Sequence, residues 1–538
     1  MKRRTFFKAT AAAGAAATAA PAIWSDAKAQ ARNETLLIVG ESPPNSMDIH
    51  GVGANRPAYE VSWNTHDRLI TYGAKKDENG NDHYDYTKFE PELATDWNVT
   101  PTSATFKLRK DAKFHDGTPI TAKDVKWSFD RAVTVGGFPT FQMAAGSLEK
   151  PEQFVAVDDN TFRVDFLRTD KLTMPDLGVP VPVVMNSELC KKHATATDPW
   201  AMEWCKNNHA SGGAYKVDRW QPGQEVVYVR NDDWKNGPLP KIKRVIMRII
   251  PSAGNRRALL ERGDADISFD LASKDFSELK SAPKLTVIGT PIENAMIYLG
   301  MNVNQKPFDN VKVRQAVAWA VPYQQIMDSV MFGQAIPLLG GADNKFKGLA
   351  WPQKDGYSTD IAKAKALMAE AGYPTGFETT LSFDLGLAST NEPLTILVQE
   401  SLAQIGIKTT INKVPGANWR GELLKKNMPM ITNAFGGWLN YPEYFFFWCY
   451  HGQNAVFNTM SYKNKDMDAL IDGARAAASN GDAAAYDKDV KGFVEMAFLE
   501  VPRIPLYQPY LNVAMQHNIT GYRYWFHRRL DYRYLAKG

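Results

Sequence analysis

Few groupings in this sequence have the residue types and spacing that covalent chemistry needs. His115-Asp116 pairs an imidazole with a carboxylate, the combination a general base uses. It lies, however, between a β-type run at 104–108 and a helical pattern that opens at Thr121, with Asp116-Gly117 as a turn signal. The pair therefore reads as scaffold. No G-x-S-x-G, H-E-x-x-H or Gly-rich phosphate loop occurs, which removes the common hydrolase, zinc-protease and nucleotide-binding chemistries. The nine histidines and three cysteines include no C-x-x-C or H-x-x-x-H spacing, and His50 has no second ligand near it in sequence. No metal, no cofactor and no catalytic residue is expected. Cys190 and Cys205 are close enough in sequence for a local bridge in an oxidising compartment, which would leave Cys449 free.

The elements that must position such a site alternate. Strand patterns at 35–39, 161–167, 243–250 and 407–414 interleave with helical patterns at 254–262, 311–320, 361–371, 391–405, 466–478 and 483–498. Residues 45–56 read as a loop, 75–85 as an exposed hairpin or loop, and 501–507 as a strand with edge-type prolines. Strand–helix alternation predicts an α/β fold with parallel strands. The chain of 538 residues exceeds one core, so two or three domains are expected. No stretch is long and apolar enough to span a bilayer.

Lys2-Arg3-Arg4-Thr5-Phe6-Phe7-Lys8 resembles the twin-arginine export motif. A mild apolar run follows to Ala20, and Ala27-Lys28-Ala29 offers a small-x-small cleavage site. Residues 1–29 hold five basic side chains against Asp26, which accounts for the whole formal charge of +4. The mature chain is thus near neutral, and nucleic acid is excluded as a partner. Twin-arginine substrates cross the membrane folded, so any bridge would form after export. No lipobox cysteine occurs in the leader.

Residues 92–132 carry the strongest resemblance. Leu93, Ala94, Trp97, Thr105-Phe106, Leu108-Arg109, Lys113-Phe114-His115-Asp116-Gly117, Pro119, Thr121-Ala122, Asp124-Val125, Ser128 and Arg131 fit the signature of the family 5 extracellular solute-binding proteins, the peptide/opine/nickel-type receptors of ABC importers. Asn302, Pro307-Phe308, Val313-Arg314, Ala316 and Ala320 fit a second family segment. Gly212 to Trp234 fits a third, with Ala214 where proline is usual.

The resemblance implies a two-lobed periplasmic-binding-protein fold (type II, cluster C-like) with an inserted domain. Residues 33–63, 213–293 and 506–538 would form lobe I, 64–212 the insertion and 294–505 lobe II. It implies a monomeric periplasmic receptor, not an enzyme. Such a receptor closes on a small solute, an oligopeptide or a related compound such as an opine or modified peptide. It then delivers the solute to importer permease subunits and, through them, the ATPase. An exported enzyme and a peptide-sequestering or chemoreceptor-linked binding protein are the alternatives.

On that template two stretches face the cleft. One is 50–56, with His50, Asn55 and Arg56, the last able to pair a carboxylate bidentately. The other is 436–443, with Trp438, Asn440 and Tyr441, extended by Tyr444. Trp419 and Asn294 are further candidates, and the aromatics suit stacking on a flat or sugar-like ligand. In peptide-binding members an Asp aligned with Asn440 holds the ligand's ammonium. A neutral amide there disfavours a free peptide N-terminus.

Overall fold

The computed structural model describes residues 32–338, 356–454, 457–525 and 530–538. The expected leader, 1–29, lies outside them. Among the described residues no helix is long and apolar enough to cross a membrane.

The largest sheet is mixed rather than parallel. Its strands run in the order Ile407–Val414, Phe377–Asp384, Met430–Gly436, Ala295–Met301, Arg503–Gln516, Ile267–Ser268, Thr35–Gly40, Arg244–Ile249, Glu225–Arg230 and Tyr215–Gln221. Thr35–Gly40 pairs in parallel with Arg244–Ile249, and Phe377–Asp384 with Ile407–Val414. The remainder is mostly antiparallel because short links join several pairs. The connection from Tyr215–Gln221 to Glu225–Arg230 is one of these, and so few residues can only make a hairpin.

One strand ties the molecule together. The first residues of Arg503–Gln516 pair with Ala295–Met301, and Tyr510 to Gln516 pair with Leu285–Pro291. It runs without a break through the 505/506 boundary expected from sequence. It is also an internal strand, which corrects the edge assignment for 501–507. Pro505 is accommodated by a shift of register opposite Ile297 and Tyr298, so no ladder hydrogen bond is demanded of it.

Three smaller sheets stand apart, one of them the two-stranded pairing of Ile519–Thr520 with Ala536–Lys537. Ala94–Val99, Ser103–Leu108, Thr161–Asp165 and Phe154–Asp158 form an antiparallel four-stranded sheet, and Ile70–Lys76, Asp82–Pro91 and Arg523–Tyr524 a three-stranded one. The signature stretch connects them to the rest. The Asp124 carboxylate accepts from the Thr121 N–H (3.0 Å) and hydroxyl (2.8 Å), fixing the start of the helix Ala122–Thr134. Near its end, Arg131 forms a two-pronged pair with Asp48 (2.6 and 3.0 Å), both side chains being buried. His115 and Asp116 serve different partners. His115 meets the Gly213 carbonyl and the Ser211 hydroxyl, while Asp116 accepts from Thr118 and Asn186.

Cys190 and Cys205 are buried free thiols with sulfurs 3.7 Å apart, on the helices Ser187–Lys192 and Met202–Asn207. The bridge expected between them is not formed in this structure, although the two sulfurs already touch.

Candidate functional site

Five of the sequence-derived candidates meet along one seam. The strand Met430–Gly436 delivers the segment that follows it. Asn294, which precedes the strand Ala295–Met301, accepts from the Gly437 N–H through its backbone carbonyl (3.1 Å). Its side-chain amide donates to the Gly437 carbonyl (2.6 Å). This double clamp fixes Trp438, which is 6 % exposed and stands edge-on to Tyr59 and Phe138 at 5.5 and 4.9 Å between ring centroids. The Tyr444 hydroxyl donates to the Gln142 side-chain carbonyl at 2.8 Å. Asn440 donates to the Tyr86 hydroxyl (3.0 Å) and to the Glu293 carboxylate (2.9 Å), and Tyr441 stands edge-on to Tyr86.

Charge also crosses the seam. Glu443 is fully buried at the start of the helix Pro442–Cys449, and Lys171 approaches it to 2.5 Å. The Tyr486 hydroxyl donates to its other oxygen at 2.8 Å. The Lys171 ammonium lies over the Tyr441 and Tyr486 rings, and Arg475 pairs with Asp170 at 3.0 Å.

Trp419 stands behind the seam. Its indole N–H donates to Asn433 at 3.3 Å, and Asn433 donates to the Tyr298 hydroxyl at 3.0 Å. A polar groove of about 430 Å³ opens beside the same helix, Gly416–Lys425, lined by Thr380, Ser382, Asn412, Asn418, Glu422 and Met428 among others.

The structure does not bring His50 or Asn55 to this seam through their side chains. His50 is buried against the Val181 carbonyl (2.8 Å), and burial, with Arg131 nearby, pushes its imidazole down to about 4. The Asn55 side chain caps the helix Arg56–Thr65, accepting from the Ala58 N–H and donating to the Pro43 carbonyl. Arg56, half-buried, is the first residue of that helix. The residue that reaches the seam from here is Tyr59, one turn further on. Sequence reasoning also passed over Phe138, Gln142, Tyr86, Lys171 and Glu293. Tyr59 had a legible signal, an aromatic four positions after the Asn55 cap. The others come from the segments around 86, 140, 171 and 293, which only the folded chain brings to 438.

An aromatic and ion-paired seam between distant segments is an arrangement able to hold a molecule, and among the described residues no nucleophile and base are set together in it. The profile of the bacterial extracellular solute-binding proteins, family 5 (middle region), matches residues 88–457. The chain belongs to the family 5 solute-binding proteins. Members are non-enzymatic transport receptors of ABC importers, and this chain is such a receptor.

Among its family 5 relatives, the probable D,D-dipeptide-binding periplasmic protein DdpA of Escherichia coli K12 is 27 % identical, over 97 % of each chain. Heme-binding protein A of Haemophilus influenzae is 26 % identical, over 93 % of this chain and 91 % of that one. Among solved structures, the periplasmic binding protein AgaA from A.tumefacien R10, in complex with agropinic acid, superposes with a TM-score of 0.79 at 25 % identity. That match covers 94 % of this chain and 99 % of AgaA. Helicobacter pylori DppA in complex with the peptide STSA gives the same TM-score at 22 % identity, covering 94 % and 98 %. The fold is therefore the two-lobed periplasmic-binding-protein fold of family 5.

Proposed function

We propose that this receptor works in the periplasm as a monomer, exported on the leader at 1–29, which is then removed. It captures a small solute between lobe I with the insertion on one side and lobe II on the other, and presents the closed form to importer permease subunits. The lobes are those expected from sequence, 33–63 with 213–293 and 506–538 against 294–505, with the insertion at 64–212. The solute is an oligopeptide or a related compound such as an opine or modified peptide, a range that the D,D-dipeptide, the peptide STSA and agropinic acid of the relatives' names fall within and that heme does not.

The observation that carries this reading is the contact of Trp438 with Tyr59 and Phe138. It joins segments that the template places in lobe II, lobe I and the insertion. A ligand that binds the closed arrangement better shifts the population toward it, and no bond need be made or broken. Asn294, Trp438, Asn440, Tyr441 and Tyr444 form the seam in this reading, with Trp419 behind it. His50 and Asn55 hold the lobe I loop in shape.

The test is intrinsic tryptophan fluorescence, with native mass spectrometry of protein recovered from its own periplasm. A co-purified small molecule, and a saturable fluorescence change on adding it back without consumption, are expected. Conversion of the bound compound would overturn the reading.

A further inference from the structure

Charge along the seam is matched unevenly. Buried Glu443 is already answered by Lys171 and Tyr486, and the Asn440 amide is already engaged by Glu293 and Tyr86. Two arginines are not answered in this way. Arg503 is 1 % exposed and forms no ion pair with a carboxylate among the described residues. Its guanidinium donates to the Phe457 carbonyl and to the Thr459 hydroxyl, and lies 4.5 Å from the Tyr298 ring centroid. Its Nη1 is buried without a hydrogen-bond partner. Arg420, exposed on the helix Gly416–Lys425, has no ion pair among the described residues. It lies 6.0 Å from the Phe138 ring centroid and 5.8 Å from that of Phe457.

The two arginines converge on Phe457, one at its ring and the other at its carbonyl. Hydrogen bonds link the two places: Trp419 to Asn433, Asn433 to Tyr298, Tyr298 with Thr459, and Arg503 to Thr459. Lys426 adds to the same field. Burial pulls its ammonium down, and Lys463 and Arg503 push it further.

A guanidinium does not deprotonate to escape burial, so its charge must be balanced from elsewhere. Aromatic faces and neutral oxygens supply part of that balance, and an anion supplies far more. Another acidic group, Glu41 with Asp270 and Asp384, already has Arg256 among it, 3.4 Å from Glu41.

Resting on the receptor reading, we propose that the captured solute docks through an anionic oxygen group, a carboxylate or a phosphate. Arg420 receives that group, with Asn433 and Trp419 beside it and Arg503 behind. The solute's apolar part lies against Phe138 and Trp438, and no free ammonium is required. Arg420 is thus a specificity-determining residue.

Calorimetry on the purified receptor with four matched probes tests this. N-acetyl-phenylalanine carries only a carboxylate, N-acetyl-phosphotyrosine amide only a phosphate, N-acetyl-phenylalanine amide neither, and phenylalanine amide only an ammonium. At least one anionic probe is expected to bind ten-fold or more tightly than the neutral and ammonium probes. Which of the two does so names the group. Arg420→Ala should remove that ten-fold preference while leaving the thermal midpoint in place, because Arg420 is exposed, and Arg420→Glu should turn the preference toward phenylalanine amide. Equal or better binding of the neutral or ammonium probe would overturn the proposal, as would an anionic preference that survives Arg420→Ala. Binding of none of the four would overturn it too. The receptor reading would outlive each of these results if a co-purified solute is found by native mass spectrometry, and would fall separately if that solute is consumed.

Discussion

Trp438 stands edge to face against Phe138, with ring centroids 4.9 Å apart and planes at 88°. Such a pair contributes about 0.5–1.5 kcal/mol beyond the area it buries. Trp438 makes a second one with Tyr59. Because both partners come from segments distant in sequence, on the proposed reading this energy belongs to the closed arrangement as much as to the fold. Trp438→Ala is expected to cost the closed state roughly 2–3 kcal/mol, at the lower edge of large-to-small aromatic truncations. That corresponds to solute capture weakened about 30- to 150-fold. Calorimetry with the native solute checks the affinity. Hydrogen exchange in the helix Gly137–Ala145, which carries Phe138, checks the loosening.

Lys171 and Glu443 form the second tie. Glu443 is wholly buried and Lys171 about a quarter exposed, so removing the lysine strands a carboxylate with only the Tyr486 hydroxyl for support. Loss of one partner of a fully buried pair costs about 3–5 kcal/mol. Lys171 keeps some contact with water, so Lys171→Met is expected to cost roughly 1–3 kcal/mol. Glu443→Gln in the same chain should return most of that loss. A double-mutant cycle on urea midpoints measures it, and additive single-mutant losses would show that the pair does not couple.

Asn440 is held between an acceptor and a carboxylate. In Asn440→Asp the donor to Glu293 disappears and a second negative charge takes its place, about 3 Å from the first. The variant is expected to keep its fold and to weaken the closed state by about 1–2 kcal/mol, mostly through the unpaired groups it leaves. The readout is a several-fold rise in the dissociation constant of the native solute, with the thermal midpoint of the ligand-free protein nearly unchanged. An unaltered affinity would show that this amide has no part in closure.

Much of this was legible in the residues, and the rest has an identifiable reason for being hidden. The helix at 311–320 and the strand at 407–414 have the bounds read from their apolar spacing and from the punctuation at Asp309 or Asn310, of which Asn310 is the cap, and at Gly406. Trp438, Asn440 and Tyr441 come together at the seam because they share one short segment after one strand. His50 and Asn55 did not, because a loop side chain next to a helix start is drawn into capping and burial, which local pattern does not distinguish from ligand contact. Phe138, Lys171 and Arg503 were invisible for a different reason: their roles depend on partners from distant segments. Arg503 alone carried a hint, as a charged residue in an apolar strand between Pro502 and Pro505. The strand at 501–507 was misplaced to an edge because its prolines are relieved by a register shift that only the pairing reveals.

The buried histidines set an acid limit. Burial, first among the causes, pushes His50 down to about 4 and His66 and His115 down to about 3. Each is neutral in the folded protein at a pH where the unfolded chain, with a value near 6.5, begins to take up protons. The unfolded state then binds more protons, so stability is fully present above about 6.5 and is lost as pH falls toward the folded values. Asp67 works in the opposite sense. Burial, with Glu92 nearby, raises it to about 7, so its contribution is present below the unfolded carboxyl value and declines as pH rises through 7. Imidazole resonances resolve the two. Those of His50, His66 and His115 are expected not to titrate between pH 7 and 5, and a midpoint near 6.5 for any of them would contradict its burial.

Cys190 and Cys205 complete the set, and their chemistry depends on access. The sulfurs are 3.7 Å apart and a bond requires about 2.05 Å, a difference within reach of small side-chain rotations. The hydrogen bond between the two thiols, followed by burial, raises Cys205 far above the usual thiol range, so little thiolate is present to attack. Incubation of the folded protein with glutathione disulfide should therefore oxidise the pair slowly, faster with mild urea. The two thiols give up two protons and two electrons to the glutathione disulfide, which is released as two glutathiones. Free-thiol titration should fall from three to one, with Cys449 the survivor, since burial likewise raises its thiol, to about 12, and no cysteine partner faces it. Closing a loop of this length is worth about 3 kcal/mol on the chain-entropy account. The oxidised protein should therefore unfold at higher denaturant, and Cys205→Ser should abolish the gain. An oxidised form no more stable than the reduced one would mean that native strain offsets the loop term.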